Sequence, residues 1–560
     1  ANISHTGRYK NYGAEGDSLY VSPKGSANGN GTKANPLDIY TAVKYVQPGQ
    51  TIVITEGTYK LSKTVKVERG TNGTAEKKIQ MVADPAASSR PVFDFQSRCA
   101  GMVLAGDYWY FRGFDVTKSA DGQKGIQVSG NNNTLDQINT YMNGNTGLQI
   151  SRYLGTDGFD KWPANNLILN CTSYLNADKG YEDADGFAAK LTVGNGNVFD
   201  GCVAHHNADD GWDLFAKVQS GSIGAVTIQN CVAYKNGIVL TVDGQKYSQL
   251  AFDGAETDAG NGNGFKMGGD SMPGHHVLKN SIAFDNKAKG VDSNSCPDIQ
   301  VYNTVSYNNG SYNVAFYTNT AVNTDFFADG LISYRKGTNV EEQFKEKGTQ
   351  DKSKIYGETN FYWDKATEVS SNSKGDKVSD DWFKSLEFTG ISRNADGTIN
   401  MNGFLELTEA AKAGASIGGT SSETVVPGEE TDGTVEGNVP EPTVNTEPTV
   451  TPQPTETPSV PATPTTESES VWDRVGENIY EDLSNIISEL PGPVRELAMN
   501  ILNSIFGVRQ TPQTTAPAQT TTRRNNTLPA ASPAAGNTQT GTDQTVNNTQ
   551  TDANTETNVI

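Results

Sequence analysis

Four aspartates and one lysine near the middle of this 560-residue chain carry side chains that could bind a cation and move a proton. They are Asp185, Asp209, Asp210, Asp213 and Lys266. Clustered carboxylates repel one another unless an opposite charge compensates them, and a flexible set of oxygen ligands suits Ca²⁺. A lysine is a base only when neutral, and a nearby dication favours that form. A base beside Ca²⁺ suits removal of a proton from the carbon next to a carboxylate.

The same residues also fit interpretations in which they neither bind a cation nor move a proton. The aspartates fit a solvated acidic turn, and Lys266 fits an ion pair with Asp213 or Asp292, which are its neighbours in the repeat described below. Opposite charges on neighbouring strands commonly pair in this way. The residues alone leave these alternatives open.

A repeat in the sequence brings the five residues into register. Segments that read glycine, large apolar residue, variable residue and apolar residue begin at Gly147, Gly186, Gly211, Gly264 and Gly290. A second mark, seven residues long, ends at Asn143, Asn176, Asn207, Asn236, Asn286 and Asn309. Alternation with a period of two predicts short strands. The turn-type residues before each glycine indicate a bend there.

Strands and turns repeated at this short interval, with no helical pattern between most of them, predict an all-β chain folded as a parallel β-helix. The apolar files then point inward, and the file that holds Asp213 and Lys266 points outward. The asparagines form a structural ladder at an inward turn. The helical periodicity of residues 36–46 predicts a helix that caps the amino-terminal end of the solenoid.

Composition divides the chain into four parts. We expect the β-helix over residues 1–419, and a disordered linker rich in Pro, Thr and Glu over 420–470. Apolar residues at helical spacing predict a helical hairpin over 471–508, either a docking module for an unknown partner or a marginal helical remnant. Residues 509–560, rich in Thr, Asn and Gln, read as a disordered tail.

Charge and apolar content narrow the class of protein. The net charge of −21 argues against nucleic-acid binding. No apolar stretch is long enough to span a membrane. The chain begins at Ala1 without Met or a signal sequence, which predicts a mature form that is secreted or attached to the cell surface.

The five cysteines are too few for a disulfide scaffold. Cys171, Cys202 and Cys231 occupy one repeat position, where we expect a file of buried thiols. A bridge between Cys99 and Cys296 is left open.

Three segments carry a resemblance to a known family. The segments Asp185-Gly186-Phe187, Ala208-Asp209-Asp210-Gly211-Trp212-Asp213 and Asn263-Gly264-Phe265-Lys266 resemble the active-site strands of the polysaccharide lyase family 9 pectate lyases. The openings Leu19-Tyr20-Val21-Ser22-Pro23 and Gly49-Gln50-Thr51-Ile52-Val53 are similar to that family as well. The similarity covers roughly residues 15–419. The stretch 237–262 departs from the pattern and is expected to form a loop over the groove.

This resemblance implies a right-handed parallel β-helix that cleaves pectate, an acidic plant cell-wall polysaccharide, by β-elimination. It implies that Asp185, Asp209, Asp210 and Asp213 bind Ca²⁺ and that Lys266 is the base. On an anionic substrate, Lys190, Lys217 and Lys289 become candidates to contact carboxylates, although each also reads as an ordinary surface lysine.

Three rival functions remain. A rhamnogalacturonan lyase would use the same residues on a related polymer. A glycoside hydrolase on the same fold would use two of the carboxylates and a water, which gives Lys266 no role. A carbohydrate-binding surface protein without catalysis would explain the linker and the terminal hairpin.

Overall fold

The computed structural model describes residues 11–237, 260–335 and 351–417, together with the backbone of short strands at 241–242, 245–246 and 343–345. It is a right-handed parallel β-helix, as predicted. Each complete coil of the helix contributes one strand to each of three parallel sheets, which we call sheets A, B and C, and the first strand, Ser18–Val21, adds one more to sheet A. Successive strands of one sheet lie on successive coils, or rungs, about 4.8 Å apart.

The sheets contain 11, 10 and 10 strands. The strands of sheet A are Ser18–Val21, Thr51–Ile54, Ile79–Ala83, Trp109–Arg112, Thr134–Asp136, Leu167–Leu169, Asn197–Asp200, Val226–Gln229, Val277–Lys279, Gln300–Tyr302 and Phe327–Asp329. The strands of sheet B are Val65–Val67, Met102–Leu104, Ile126–Val128, Leu148–Ile150, Phe187–Ala189, Trp212–Asp213, Phe265–Lys266, Val291–Asp292, Val314–Tyr317 and Gln343–Lys345. The strands of sheet C are Thr58–Lys60, Val92–Asp94, Asp115–Thr117, Asn139–Tyr141, Thr172–Tyr174, Val203–His205, Val232–Tyr234, Ile282–Phe284, Val305–Tyr307 and Ile332–Tyr334.

The register of sheet B matches the repeat in the sequence. Leu148, Phe187, Trp212, Phe265 and Val291 pair on successive rungs and are all fully buried. Burying a large apolar side chain stabilises a fold by about 1.5–3 kcal/mol. This inward file therefore fixes the register of the strands, because a slip by one residue would turn the apolar side chains outward.

The predicted asparagine ladder is present. Each side-chain amide donates to the Oδ1 of the next asparagine, at 2.8–3.0 Å from Asn143 through Asn176, Asn207, Asn236 and Asn286 to Asn309. The ladder also explains the recurrent glycines. A Cβ atom at Gly211 would lie 2.8 Å from Nδ2 of Asn236 and 2.6 Å from the backbone oxygen of Gly264. The close approach of these atoms excludes a side chain at Gly211. The glycine is therefore required by packing, which is a different reason from the expected bend.

A second ladder was not predicted. Asn133, Asn166 and Asn197 precede or begin strands of sheet A, and the amide of Asn166 donates to Oδ1 of Asn197 at 2.9 Å. The backbone N–H of Asn133 donates to Oδ1 of Asn166 at 3.0 Å. The two ladders satisfy buried backbone groups at two different turns of the same coils.

The amino-terminal helix forms where it was predicted. It spans Ile39–Tyr45, and Asp38 caps it by accepting the backbone N–H of Thr41 at 2.9 Å. Ile39, Ala42 and Val43 are buried in the solenoid core.

After the last coils, residues 351–417 pack across sheet C. They contain the hairpins Tyr362–Asp364 with Val369–Ser371 and Ser392–Arg393 with Ile399–Asn400, and 3₁₀ turns at Lys352–Lys354 and Asp380–Trp382. A further 3₁₀ turn, Phe159–Lys161, follows a sheet B strand, and the short strands Thr241–Val242 and Gln245–Lys246 pair with each other. Apolar side chains of the packed segment cover the outward aromatic residues of sheet C, including Tyr234 and Phe284.

The cysteines, all five of which lie in described ranges, are unpaired, and Cys171, Cys202 and Cys231 form the expected buried file. Within the described residues, no helix has the length and apolar character needed to cross a lipid bilayer. The predicted linker, hairpin and tail, 420–470, 471–508 and 509–560, lie outside the described residues, as does most of the stretch 237–262.

Candidate active site

The candidate site lies on the outward file of sheet B. Ala188, Asp213, Lys266 and Asp292 pair on successive rungs, as the repeat predicted. These side chains point away from the core, yet they are largely buried, and that of Lys266 is 12% exposed. Neighbouring side chains cover them, and the ring of Phe215 lies 5.7 Å from Nζ of Lys266. The file is therefore a shielded site and not an open surface.

The residues that precede the glycines form a second file beside it. The hydroxyl of Thr146 donates to Oδ2 of Asp185 at 3.1 Å. One rung further, the backbone N–H and the amide of Asn263 donate to Oδ1 of Asp210 at 2.7 and 2.9 Å. The neighbouring Asp209 accepts the backbone N–H of Asn261 at 2.6 Å. Each carboxylate is thus oriented by groups on adjacent rungs.

Three of the four aspartates converge on a point where a cation fits. Carboxylate oxygens of Asp185, Asp209 and Asp210 all lie within 4.8 Å of one another, and all three residues are buried. Oδ2 of Asp210 is buried and accepts no backbone or amide hydrogen bond from the described residues, and the ammonium of Lys266 lies 3.1 Å from it. Buried carboxylate oxygens are hard ligands of the kind that Ca²⁺ prefers. Asp213 stands beside this group, where ammonium ions contact it.

Two lysines pair with the aspartates. Nζ of Lys266 lies 3.1 Å from Oδ2 of Asp210 and 3.5 Å from Oδ2 of Asp213. Nζ of Lys190, which is almost completely buried, lies 3.0 Å from Asp185 and 3.1 Å from Asp213. Four carboxylates against two ammonium groups leave two negative charges uncompensated among these six residues, which matches the charge of one divalent cation.

The electrostatics follow from this excess of negative charge. Burial raises the pKa of Asp185 to about 7, and it also raises the pKa of Asp209 and of Asp210, with help from the neighbouring carboxylates. Although burial alone would raise the pKa of Asp213, Lys266 and Lys190 hold it below its usual range. Burial alone would lower the pKa of Lys266, but the four aspartates raise it well above its usual range. Without a bound cation, Lys266 is therefore an ammonium ion.

The other two lysines lie apart from the six-residue cluster. Lys289 pairs with Asp292 at 2.9 Å and is partly exposed. Lys217 lies in the turn after the strand Trp212–Asp213, where its backbone bridges to Gly221. The ion pair expected between Lys266 and Asp213 is present. Asp292, the other expected partner of Lys266, pairs with Lys289 instead.

Sequence reasoning missed the polar partners of the aspartates. Asn263 and Thr146 occupy the same repeat position as Asp185 and Asp210. The repeat alone could therefore have identified them as neighbours of these aspartates on adjacent rungs. Phe215 gave no such signal, because its contact with Lys266 depends on how the chain turns after Asp213.

Comparisons with known proteins agree with the fold. Residues 19–325 match the family described as "Pel9A-like, right handed beta helix region". Pectate lyase L of Thermoclostridium stercorarium is 45% identical over 320 residues, which cover 57% of this chain and 25% of that protein. Pectate lyase L of Paenibacillus polymyxa is 42% identical over 406 residues, which cover 71% of this chain and 83% of that protein.

A solved structure shares the fold. The crystal structure of pectate lyase Pel9A superposes with a TM-score of 0.55 at 29% identity, covering 74% of this chain and 95% of that one. The chain thus spans a quarter of the first relative's length and most of the second's. The resemblance predicted from the sequence is confirmed, and so is the enzyme class, since the relatives are named as pectate lyases, which are polysaccharide lyases.

Proposed function

The chain belongs to the Pel9A-like right-handed β-helix family, and we propose that it is a secreted, Ca²⁺-dependent pectate lyase. It would cleave polygalacturonate by β-elimination and leave 4,5-unsaturated oligogalacturonides. The observation that carries this proposal is the buried cluster in which four aspartates face only two lysines, one of them placed on the outward file of sheet B.

Asp185, Asp209 and Asp210 would hold the cation, with Asp213 beside them. When bound, Ca²⁺ would supply positive charge that attracts the uronate carboxylate and stabilises negative charge developing at C5. The same charge would relieve the carboxylates that keep Lys266 protonated, which favours the neutral amine that a base requires.

Lys266 is the proposed base. Its Nζ takes the proton from C5, the electron pair of that C–H bond forms the C4–C5 double bond, and the C4–O4 bond breaks. The leaving O4 takes a proton from water. Asp210 and Asp213 orient Nζ through contacts at 3.1 and 3.5 Å. Lys289 and Lys217, which lie apart from the six-residue cluster, are proposed to contact carboxylates of the bound polymer. Lys190 was a third candidate for that role, and its ion pairs with Asp185 and Asp213 direct its charge toward the cation site.

One assay tests the proposal against its rivals. Purified protein is incubated with polygalacturonate and, in parallel, with rhamnogalacturonan, with added Ca²⁺ or with EDTA. We expect ultraviolet absorbance of unsaturated uronides to grow on polygalacturonate and to stop in EDTA. If the absorbance grows on rhamnogalacturonan alone, that polymer is the substrate. Reducing ends without absorbance would identify a hydrolase, and binding without any product would identify a carbohydrate-binding protein.

A further inference from the structure

The outward file of sheet B continues well beyond the cluster. From Lys266 it runs toward the amino terminus through Asp213, Ala188, Gln149, Gln127 and Val103 to Lys66. These are six rung steps, about 29 Å at the usual spacing between parallel strands. Gln149 is buried, Gln127 and Val103 are partly exposed, and Lys66 is exposed, so the file opens in this direction. In the opposite direction Asp292 and Ala315 are buried.

A side loop borders the open part of the file. Residues 151–163 follow the strand Leu148–Ile150, but they fold back toward the first rungs. Nζ of Lys66 lies 5.0 Å from the centroid of the Tyr153 ring, and Cζ of Arg69 lies 5.1 Å from it. Lys66 is three rungs away from the strand that the loop leaves. The loop therefore extends about 14 Å alongside the file.

Buried contacts hold this loop in place. The guanidinium of Arg69 donates two hydrogen bonds to the carboxylate of Asp157, at 3.0 and 2.6 Å. Asp157 is buried, it accepts the backbone N–H of Leu154 at 2.8 Å, and its backbone oxygen accepts the indole N–H of Trp162 at 3.0 Å. The hydroxyl of Tyr153 donates to Glu68. A paired, bidentate Arg–carboxylate contact of this kind fixes geometry well.

The fixed loop leaves groups free to contact a ligand. The side chains of Lys66 and Arg69 are 43% and 38% exposed. The ion pair of Lys66 with Glu68, at 3.5 Å between two exposed side chains, is weak and exchangeable. Leu154 and Phe159, in the same loop, are two of the three large apolar side chains that stand exposed in the described part of the chain. Exposed apolar groups beside cations fit a sugar ring that carries a carboxylate.

We propose that Lys66, Arg69 and the loop 151–163 form a distal subsite that binds an acidic sugar residue of the polysaccharide, several residues away from the bond that is cleaved. This inference rests on the proposed function for the identity of the ligand. Lys66 pairs with the uronate carboxylate, Arg69 holds the loop through Asp157 and adds positive charge beside Lys66, and the loop forms the side wall of the groove. The polymer then runs from Lys266 toward the amino-terminal coils, and long chains bind better than short ones.

The test is a substitution with a matched control. Lys66→Gln removes one exposed charge from the proposed subsite, whereas Lys60→Gln removes one from the same coil but on sheet C. KM is measured on polygalacturonate and on oligogalacturonates of increasing length. We expect Lys66→Gln to raise KM by about two- to fivefold on the polymer, as the loss of one exposed ion pair predicts. We expect no such change on the shortest cleaved oligomers or with Lys60→Gln. Lys66→Glu should raise KM further.

Two results would overturn the subsite. One is a polymer KM that Lys66→Gln and Lys60→Gln leave equally unchanged, and the other is an increase of the same size on short and long substrates. Calorimetric binding of a long oligogalacturonate in EDTA separates this inference from the proposed function. If the wild type is inactive even with added Ca²⁺, but Lys66→Gln still weakens binding by a similar factor, the subsite is supported and the proposed lyase activity is refuted.

Discussion

The two lysines that contact Asp213 allow a sharp test of which of them does the chemistry. Lys266→Met and Lys190→Met each remove one buried ammonium group and break two ion pairs with buried aspartates. Methionine keeps a flexible chain of similar length without the charge. The two variants therefore lose the same charge and the same number of ion pairs, and they differ in the position of the lost amine.

The magnitudes follow from these contacts. Losing one partner of a buried ion pair costs about 3–5 kcal/mol, because a buried charge is left uncompensated. We expect both variants to lose stability in this range in EDTA, and to recover part of it in Ca²⁺, which supplies the missing charge. For turnover, the loss of a general base costs about 100- to 10,000-fold in kcat. We expect that loss for Lys266→Met and a decrease within about tenfold for Lys190→Met.

The assay measures both effects on the same samples. Initial rates of absorbance growth on polygalacturonate give kcat, and melting temperatures in EDTA and in Ca²⁺ report stability and cation binding. If Lys266→Met keeps kcat within tenfold of wild type while its melting temperature in Ca²⁺ rises as in wild type, Lys266 is not the base. Equal losses of kcat in both variants would place the effect in the charge balance of the cluster and not in proton transfer.

Two further predictions concern the cation site and the fold. Because burial raises the pKa of Asp185 from 3.8 to about 7, the unfolded carboxyl ionises before the folded one, so melting temperatures in EDTA should fall as pH rises from about 4 to about 7. Ca²⁺ should restore them at the upper end, Asp185→Asn should flatten the EDTA curve, and a flat wild-type curve would contradict the reasoning. Asn236→Ala removes amide hydrogen bonds to Ala204 and Asn286, and it removes the Oδ1 that accepts the backbone N–H and the amide of Asn207, so urea denaturation should show a loss of about 3 kcal/mol. The exposed Asn28→Ala should be neutral, and equal stability of the two variants would refute the ladder's role.

The fold could be predicted from the sequence because its stabilising contacts repeat. Trp212 and Phe265 recur at one repeat position and Asn207 and Asn236 at another, and parallel stacking turns a repeat position into a direct contact. The same logic placed Asp213 and Lys266 on adjacent rungs. The second ladder through Asn166 obeys this rule too, but its asparagines lie outside the two recurring segments on which the prediction rested.

The electrostatic partners could not be predicted in the same way. Lys190 follows Asp185 by five residues on the far side of a strand, and only the turn of the backbone brings its Nζ within 3.0 Å of that carboxylate. The burial of the outward file was also unexpected, because period-two alternation distinguishes the two faces of a strand and carries no information about loops that cover the outer face. Phe215 belongs to such a covering.

The asparagine ladder has a consequence for how this scaffold tolerates change. The link from Asn236 to Asn286 closes at 2.9 Å across 50 residues, and the link from Asn286 to Asn309 closes at 2.9 Å across 23. The coil geometry is thus independent of how much chain is inserted between the ladder and the next glycine. The insertion before Lys266 enters the chain at this junction, next to the candidate base. Loops that select a substrate could therefore be exchanged, lengthened or grafted there while the spacing between Asp213 and Lys266 stays the same.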